Sequence, residues 1–221
     1  GNLFLSATEA KALSQRHPVV AKSIRPVTGT SEFIDGALRY CLWINDEDLE
    51  RFMLFPEIRD RIEKVRKARQ DGGEVAITLV EKSHQFRFRN TCRDRQIVIP
   101  QVSSEKREYL PVGLLKKDFI ITHLAHAIYK PTMVDLSILM SKMHLAWIAT
   151  ICGKLETRLR YSSNLGWNTF PLPKLTEQNK ADLTRCAEDI LLAREAHFPT
   201  TIAELYDPEK MPDNLRHAHE R

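Results

Sequence analysis

Two pairs of histidines stand close in the chain, His123 with His126 and His217 with His219. Such spacings let imidazoles share a metal ion, but no third ligand is spaced to join either pair, so core or surface histidines are expected. Cys41, Cys92, Cys152 and Cys186 lie far apart, with neither a CxxC nor a Cys/His pairing at zinc spacing. That excludes a zinc framework and makes reduced thiols the expectation. The eight glycines form no GxGxxG and no P-loop, so no phosphate cradle is encoded. An Asn/Asp-Pro-Pro-aromatic turn, the base-holding element of adenine methyltransferases, is absent. The only Glu-x-Lys is Glu9-Ala10-Lys11, with no acidic residue before it, so a PD-ExK nuclease centre is not supported. Asp207-Pro-Glu-Lys210 reads as a turn between helices. No catalytic constellation remains.

Glu156 and Arg158 stand two residues apart, and the pair taken alone reads as a surface ion pair of small energetic consequence.

Charge is unevenly placed. Of 33 Lys+Arg and 29 Asp+Glu, residues 1–174 hold 27 basic and 19 acidic, and residues 175–221 hold 6 and 10. A basic body with an acidic tail points to a polyanion-binding face, or to ordinary solvated surface.

The elements that must position these residues follow from pattern. Thr8 to Arg16 predicts a helix behind a Ser6/Thr8 cap signal, and Ala37 to Ile44 alternates as a strand. Pro56 opens a helix to about Arg69, carrying Arg59, Arg61, Lys64, Arg66, Lys67 and Arg69. Gln85–Arg89, Gln96–Val102 and Asp118–Tyr129 are strand candidates. One long helix is expected from Thr132 to about Gly153, and its apolar run is broken by Asp135, Lys142 and His144. It therefore reads as buried rather than membrane-spanning. Trp167 to Pro173 is a linker by composition. Thr176 to Ala196 is amphipathic, and short helices are expected near Thr201–Tyr206 and Met211–His219. With 221 residues, 43% hydrophobic and 28% charged, the chain can bury a real core. The expected class is α+β: a mixed strand/helix body, residues 1–170, followed by a small all-helical domain, residues 171–221. The chain opens at Gly1 with no signal pattern, so part of a longer cytoplasmic protein is expected.

Several phrases, in order along almost the whole chain, carry a resemblance. They are Arg39-Tyr-Cys-Leu-Trp43, Ile99-Pro-Gln-Val-Ser-Ser-Glu-Lys-Arg-Glu-Tyr-Leu-Pro-Val-Gly113 and Leu139-Met-Ser-Lys-Met-His-Leu-Ala-Trp147. Cys152-Gly-Lys-Leu-Glu-Thr-Arg-Leu-Arg-Tyr-Ser162, Asn168-Thr-Phe-Pro-Leu-Pro173 and Leu205-Tyr-Asp-Pro-Glu-Lys-Met-Pro212 continue it. The chain resembles the C-terminal portion of the MmeI-like restriction–modification enzymes, which fuse a nuclease, an adenine methyltransferase and a DNA target recognition domain. The resemblance implies a target recognition domain over residues 1–170 and a helical C-terminal domain after it.

It also implies that double-stranded DNA is the partner, together with the methyltransferase and nuclease domains of the same parent chain. S-adenosylmethionine and Mg are expected for the parent, with no cofactor in this part and no membrane role. By the same resemblance Glu156, Arg158, Gln101, His123 and Leu124 read bases. Ser103, Ser104, Lys106, Arg107 and Arg160 are expected on the DNA backbone, as are the arginines of residues 59–69 and 87–95. For the 59–69 helix a solvated face is an equal alternative. Lys106 replaces the arginine of many relatives and Trp167 a frequent tyrosine. The chain stops soon after His219, where relatives continue. Two other classes stay open: an RNA- or protein-binding module without sequence readout, and a self-contained enzyme.

Overall fold

Hydroxyl side chains set half of the α-helix starts in this chain. Ser6, Thr132, Thr176 and Thr201 each accept an amide hydrogen bond from the residue three positions on. Glu9, Asp135, Asn179 and Glu204 return the bond to the cap amides. The computed structural model describes all 221 residues. In chain order these begin β1 (Phe4–Ser6), α1 (Ala7–Arg16), β2 (Ile24–Thr28), α2 (Thr30–Asp35), β3 (Arg39–Leu42), α3 (Leu49–Met53), α4 (Pro56–Gln70) and α5 (Glu74–Ile77). Strands β4 (Arg95–Pro100), β5 (Val102–Ser103), β6 (Gly113–Lys116), β7 (Ile120–Ile121) and β8 (Ala125–Ile128) follow. Helices α6 (Met133–Met140) and α7 (Lys142–Ile151) lead to strands β9 (Lys154–Leu155) and β10 (Arg158–Arg160). The chain closes on α8 (Glu177–Glu195), α9 (Ile202–Leu205) and α10 (Asp213–Glu220). This is the expected α+β class, with a helical C-terminal region.

The chain divides into two compact units. The first comprises residues 1–27, 38–91 and 118–120. Its sheet follows the order β1-β3-β2-β7, with Phe4 opposite Cys41 and Arg25 opposite Cys41 on the other side. The period-2 alternation sends Leu5, Leu42 and Ile44 to one face, where Ala10 and Leu13 of α1 and Ile58 and Ile62 of α4 bury them. Cys41 and Trp43 take the opposite face with Val27 and Ile120.

In this unit residues 85–89 form no strand, contrary to their alternation. The Arg69 guanidinium instead gathers the carbonyls of Leu79, Lys82 and Gln85 at 2.6–2.7 Å, bending the segment into a loop. Phe86 packs on Phe4 and Trp43, and Arg89 stacks 4.4 Å over Trp43 while donating to the Ile44 carbonyl. Phe88 stays in solvent. The Phe/Arg alternation is cation–π packing and not a pleat.

The second unit comprises residues 28–37, 92–117 and 121–221. Its first sheet has β4 between β6 and β8, all antiparallel. Ile97 and Ile99 of β4 join Leu136, Leu139 and Met140 of α6, Ala187 and Ile190 of α8, and Leu215 of α10 in one core. A second sheet, in the order β5-β10-β9, continues from the first. The expected helix from Thr132 to Gly153 is broken at Ser141, where the backbone is extended and α6 and α7 meet at 64°. Ser141 Oγ caps α7 by accepting the His144 amide, so a serine in an apolar run acts as stop and start. No single helix is long and apolar enough to cross a membrane. The expected strand over 118–129 is interrupted by a turn at 122–124, and Trp167 ends a π-helical turn where only linker was expected.

The C-terminal helices are held to the core by Arg194. Its buried guanidinium donates to the Val112 carbonyl at 2.6 Å and to the Tyr206 hydroxyl, which also bonds His219 at 2.7 Å. Removing it leaves the Val112 carbonyl unmet and takes from the Tyr206 hydroxyl one of its two partners. Arg194→Ala is expected to cost on the order of 3 kcal/mol, read from the urea midpoint. A loss below about 0.5 kcal/mol would show that the clamp is inert.

Two buried histidines give a pH dependence. Burial pushes His144 down to about 4, and burial with the nearby Arg194 pushes His219 down to about 3. The unfolded chain titrates both near 6.5, so it takes up protons first as pH falls, and stability should decline from about pH 6.5 toward pH 4. His144→Phe is expected to flatten that decline by about half, because His144 is one of the two groups responsible. An unchanged slope would mean that His144 is charged in the folded state.

Candidate functional site

A groove of about 440 Å³ opens on the second unit where its two sheets meet. Three strand-end segments and one short helix build it. The first is the β4–β5 junction. β4 pairs with β8 as far as Pro100 opposite Ala125, and β5 then pairs with β10, Val102 opposite Arg160 and Ser103 opposite Leu159. Gln101, between the two, spans the change of sheet. Its carbonyl accepts the Tyr161 amide at 2.8 Å, and its amide donates to Thr30 Oγ1 at 2.8 Å. Gln101, Ser103 and Ser104 line the groove from this side.

The second segment is the β9–β10 hairpin, in which Leu155 faces Arg158 across a two-residue turn, Glu156-Thr157. Glu156 has φ 59°, a left-handed backbone normally left to glycine or asparagine, at a cost of about 1 kcal/mol or more. Its carboxylate accepts from Arg158 Nη2 at 2.9 Å, across an exposed pair. Leu159, between two outward arginines, is buried and anchors the hairpin, so Arg158 and Arg160 share the open face. Arg158 lines the groove.

The third segment is the turn before β8. Leu124 lines the groove, whereas His123, on the same turn, is exposed and stands outside its lining. Helix α2 forms the remaining wall with Thr30, Ser31, Ile34 and Asp35. Reasoning from sequence missed this helix. Gly29 before it, Glu32 reaching back to the Gly29 amide, and left-handed Gly36 after it were its signals.

Arg107 sits deeper than a surface phosphate contact would. Its Nη1 reaches Ser103 Oγ at 3.4 Å. Burial lowers its pKa, and the carboxylates of Asp35 and Asp207 oppose that shift. It also borders a neighbouring recess of about 610 Å³ that includes Lys106, Tyr206 and Asp207. Thus Gln101, Leu124, Arg158, Ser103, Ser104 and Arg107 come together. Lys106 lies next door, Arg160 lies farther along the same strand face, and Glu156 stands at the hairpin tip.

The basic helix α4 is mostly committed elsewhere. Arg61 binds Glu9 and the Asn2 and Phe4 carbonyls, Lys64 pairs with Asp60, and Arg69 holds its loop. Three of the four paired histidines are likewise occupied in hydrogen bonds: His126 with the Tyr161 carbonyl, His217 with the Asp213 carbonyl and His219 with Tyr206.

Chemically, the groove presents two guanidinium forks, an amide that both donates and accepts, four hydroxyls, a carboxylate and three apolar side chains. That set suits edge-on recognition of flat heterocycles carrying a fixed pattern of donors, acceptors and methyl groups.

Comparison with known proteins agrees on the whole chain. DNA methyltransferase A of Bacillus subtilis (strain 168) is 37% identical over 224 residues, which cover all of this chain and 25% of that protein. The solved type IIL restriction–modification enzyme MmeI, in complex with DNA, superposes with a TM-score of 0.94 at 29% identity, covering all of this chain and 30% of that one. The chain therefore spans between a quarter and a third of these relatives. The family model for the MmeI target recognition domain matches residues 1–174, and that for the MmeI C-terminal domain matches residues 175–221. On these matches the chain belongs to the MmeI family, as its target recognition domain followed by its C-terminal domain.

Proposed function

We propose that this chain is the sequence-specific DNA recognition module of a larger restriction–modification enzyme, which positions one adenine for N6 methylation by another domain of the same protein. The observation that carries the reading is the convergence of Gln101, Leu124 and Arg158 on one groove from three separate stretches of chain. Arg158 donates its fork to guanine O6 and N7, while Glu156 holds the guanidinium plane or accepts from cytosine N4. Gln101 pairs with adenine N6 and N7, His123 donates to guanine, and Leu124 makes an apolar contact with a base. Ser103, Ser104, Lys106, Arg107 and Arg160 contact the phosphate backbone and fix register. Residues 1–170 carry this recognition surface, and the helices of residues 171–221 support it.

A module binding nucleic acid or protein through charge alone fits less well. Phosphates repel a carboxylate, yet Glu156 stands at the exposed tip of the hairpin, in a strained backbone, bonded to the arginine beside it. That arrangement serves orientation rather than attraction.

S-adenosylmethionine, Mg and the methyltransferase and nuclease domains that use them belong, in this reading, to the rest of the longer cytoplasmic protein. The residues here do not fit a metal: no group of three or more His, Cys, Asp or Glu side chains is arranged to hold one.

In the full-length parent, Glu156→Lys combined with Arg158→Asp is expected to change the accepted base at one position of the methylated motif. Sequencing N6-methyladenine in modified DNA reads this, and an unaltered motif would reject the assignment. Lys106→Ala should weaken binding to every sequence alike and reduce the slope of log affinity against log salt by about one unit, leaving the motif intact. A salt titration that keeps the wild-type slope would remove Lys106 from the backbone contacts.

A further inference from the structure

We propose that Thr30 is a positioning residue for base readout: its hydroxyl stands in for the ladder hydrogen bond between Gln101 and Leu124 and so sets how both side chains enter the groove. The inference rests on the recognition reading above.

The strand register carries it. β4 and β8 pair Ile97 with Ile128, Val98 with Ala127, Ile99 with His126 and Pro100 with Ala125. The next pair in that register is Gln101 with Leu124. Antiparallel partners alternate between pairs that exchange hydrogen bonds and pairs that do not. Pro100 has no amide to donate, and the Ala125 amide goes to the Thr122 carbonyl, so their pair is of the unbonded kind. Gln101 and Leu124 would therefore form the next bonded pair, with the Gln101 N–H aimed at the Leu124 carbonyl. No such bond forms. The Gln101 N–H donates to Thr30 Oγ1 at 2.8 Å, and the Thr30 hydroxyl donates to the Leu124 carbonyl at 2.5 Å. One oxygen relays the bond in series, accepting from one strand and donating to the other. A hydroxyl does both at once, which no apolar side chain can do.

Thr30 is held firmly in that role. The Thr28 carbonyl accepts the Thr122 amide at 2.8 Å, tying the residues before Thr30 to the turn that carries Leu124. Gly29 lies so close to that turn that a Cβ there would stand 2.7 Å from Thr122 Oγ1 and 3.1 Å from the Leu124 Cβ. A larger residue there would push against both, and the close approach delivers the next side chain between the two strands. The relay spreads the strands by one oxygen just where both residues begin to line the groove. Without it, the strands either close on one another or leave a donor and an acceptor unmet, and both readout side chains move. Displacements near 1 Å are enough to spoil aligned hydrogen bonds.

A merely structural threonine and a positioning one differ in what they change. Loss of a structural contact lowers affinity for all sequences together, whereas loss of the relay blurs the base facing Gln101 and Leu124 and spares the one facing Arg158. The test is selection by the chain from a pool of randomised double-stranded oligonucleotides, read by sequencing. Gln101→Ala marks which motif position its side chain reads. Thr30→Val should lower the preference at that position about tenfold, the size of one lost base contact, and leave the Arg158 position unchanged. Thr30→Ser, which keeps the hydroxyl, should retain the full motif, and Thr30→Ala reads the same position should the valine variant not fold. Full preference in both Thr30→Val and Thr30→Ala, or an equal loss at every position, would overturn the role of Thr30. A motif untouched by Gln101→Ala would instead overturn the recognition reading itself, and this inference with it.

Discussion

The groove exists because one strand changes sheets within three residues. Up to Pro100 the chain belongs to a sheet whose inner face is packed by the long helices, with Ile97 and Ile99 in the core. From Val102 it belongs to a small outer sheet with β10 and β9. A strand can make this change only if the backbone groups released at the crossing find other partners, since an unmet polar group away from water costs about 1–3 kcal/mol. Gln101 meets that condition with the Tyr161 amide on one side and the Thr30 hydroxyl on the other. The same crossing brings the β9–β10 hairpin, the turn before β8 and helix α2 to a common edge. Fold and site are coupled at this point: the groove is the gap that the change of sheet leaves.

Charge plays a smaller part in the site than composition suggests. Many of the arginines behind the basic excess of residues 1–174 act as brackets within the fold. Arg69 collects three loop carbonyls, Arg61 two carbonyls and a carboxylate, and Arg89 a carbonyl, an amide oxygen and the face of Trp43. Guanidinium suits this because its five donors lie in one plane and its flat face stacks on aromatic rings. Arg194 does the same among the C-terminal helices. Counting arginines therefore overstates the surface available to phosphates, and a structural use has to be subtracted residue by residue.

What could be read in the sequence was what short-range chemistry decides. The Ser6 cap, the Pro56 helix start, the helix beginning near Thr132, the amphipathic helix from Thr176 and a strand within Ala37–Ile44 all lie in local pattern, and the structure bears them out, with that strand shortened to Arg39–Leu42. What could not be read was decided at long range. Ser141 breaks a helix that its neighbours would continue, because its hydroxyl caps the next one at a 64° bend. Phe86 to Arg89 looked like a pleat because aromatic and guanidinium groups alternate there, and nothing local shows that Trp43 is the partner. At the site, the Glu156/Arg158 pair taken alone read as an ion pair. The family resemblance singled out Gln101 and Leu124, and no local signal linked Thr30 to either. The β9–β10 hairpin was hidden because Glu-Thr is not a turn dipeptide; it takes a left-handed residue that sequence statistics disfavour.

That turn also carries side chains that the fold itself does not use. Along β10 the buried residue is Leu159, and the residues on either side point away from the core. The ladder to β5 and β9 is made by backbone groups, which any residue other than proline supplies. The side chains of Glu156 and Arg158 thus hold no part of the core, and their mutual bond, exposed to water, adds little to stability. Where side chains carry no folding burden, their identity is free to vary. The one local constraint is the left-handed backbone at Glu156, and it is a modest one. Thr30 and Gly29 are different: they hold the groove open through backbone spacing. A fold built this way keeps its frame constant whatever side chains stand at the hairpin tip.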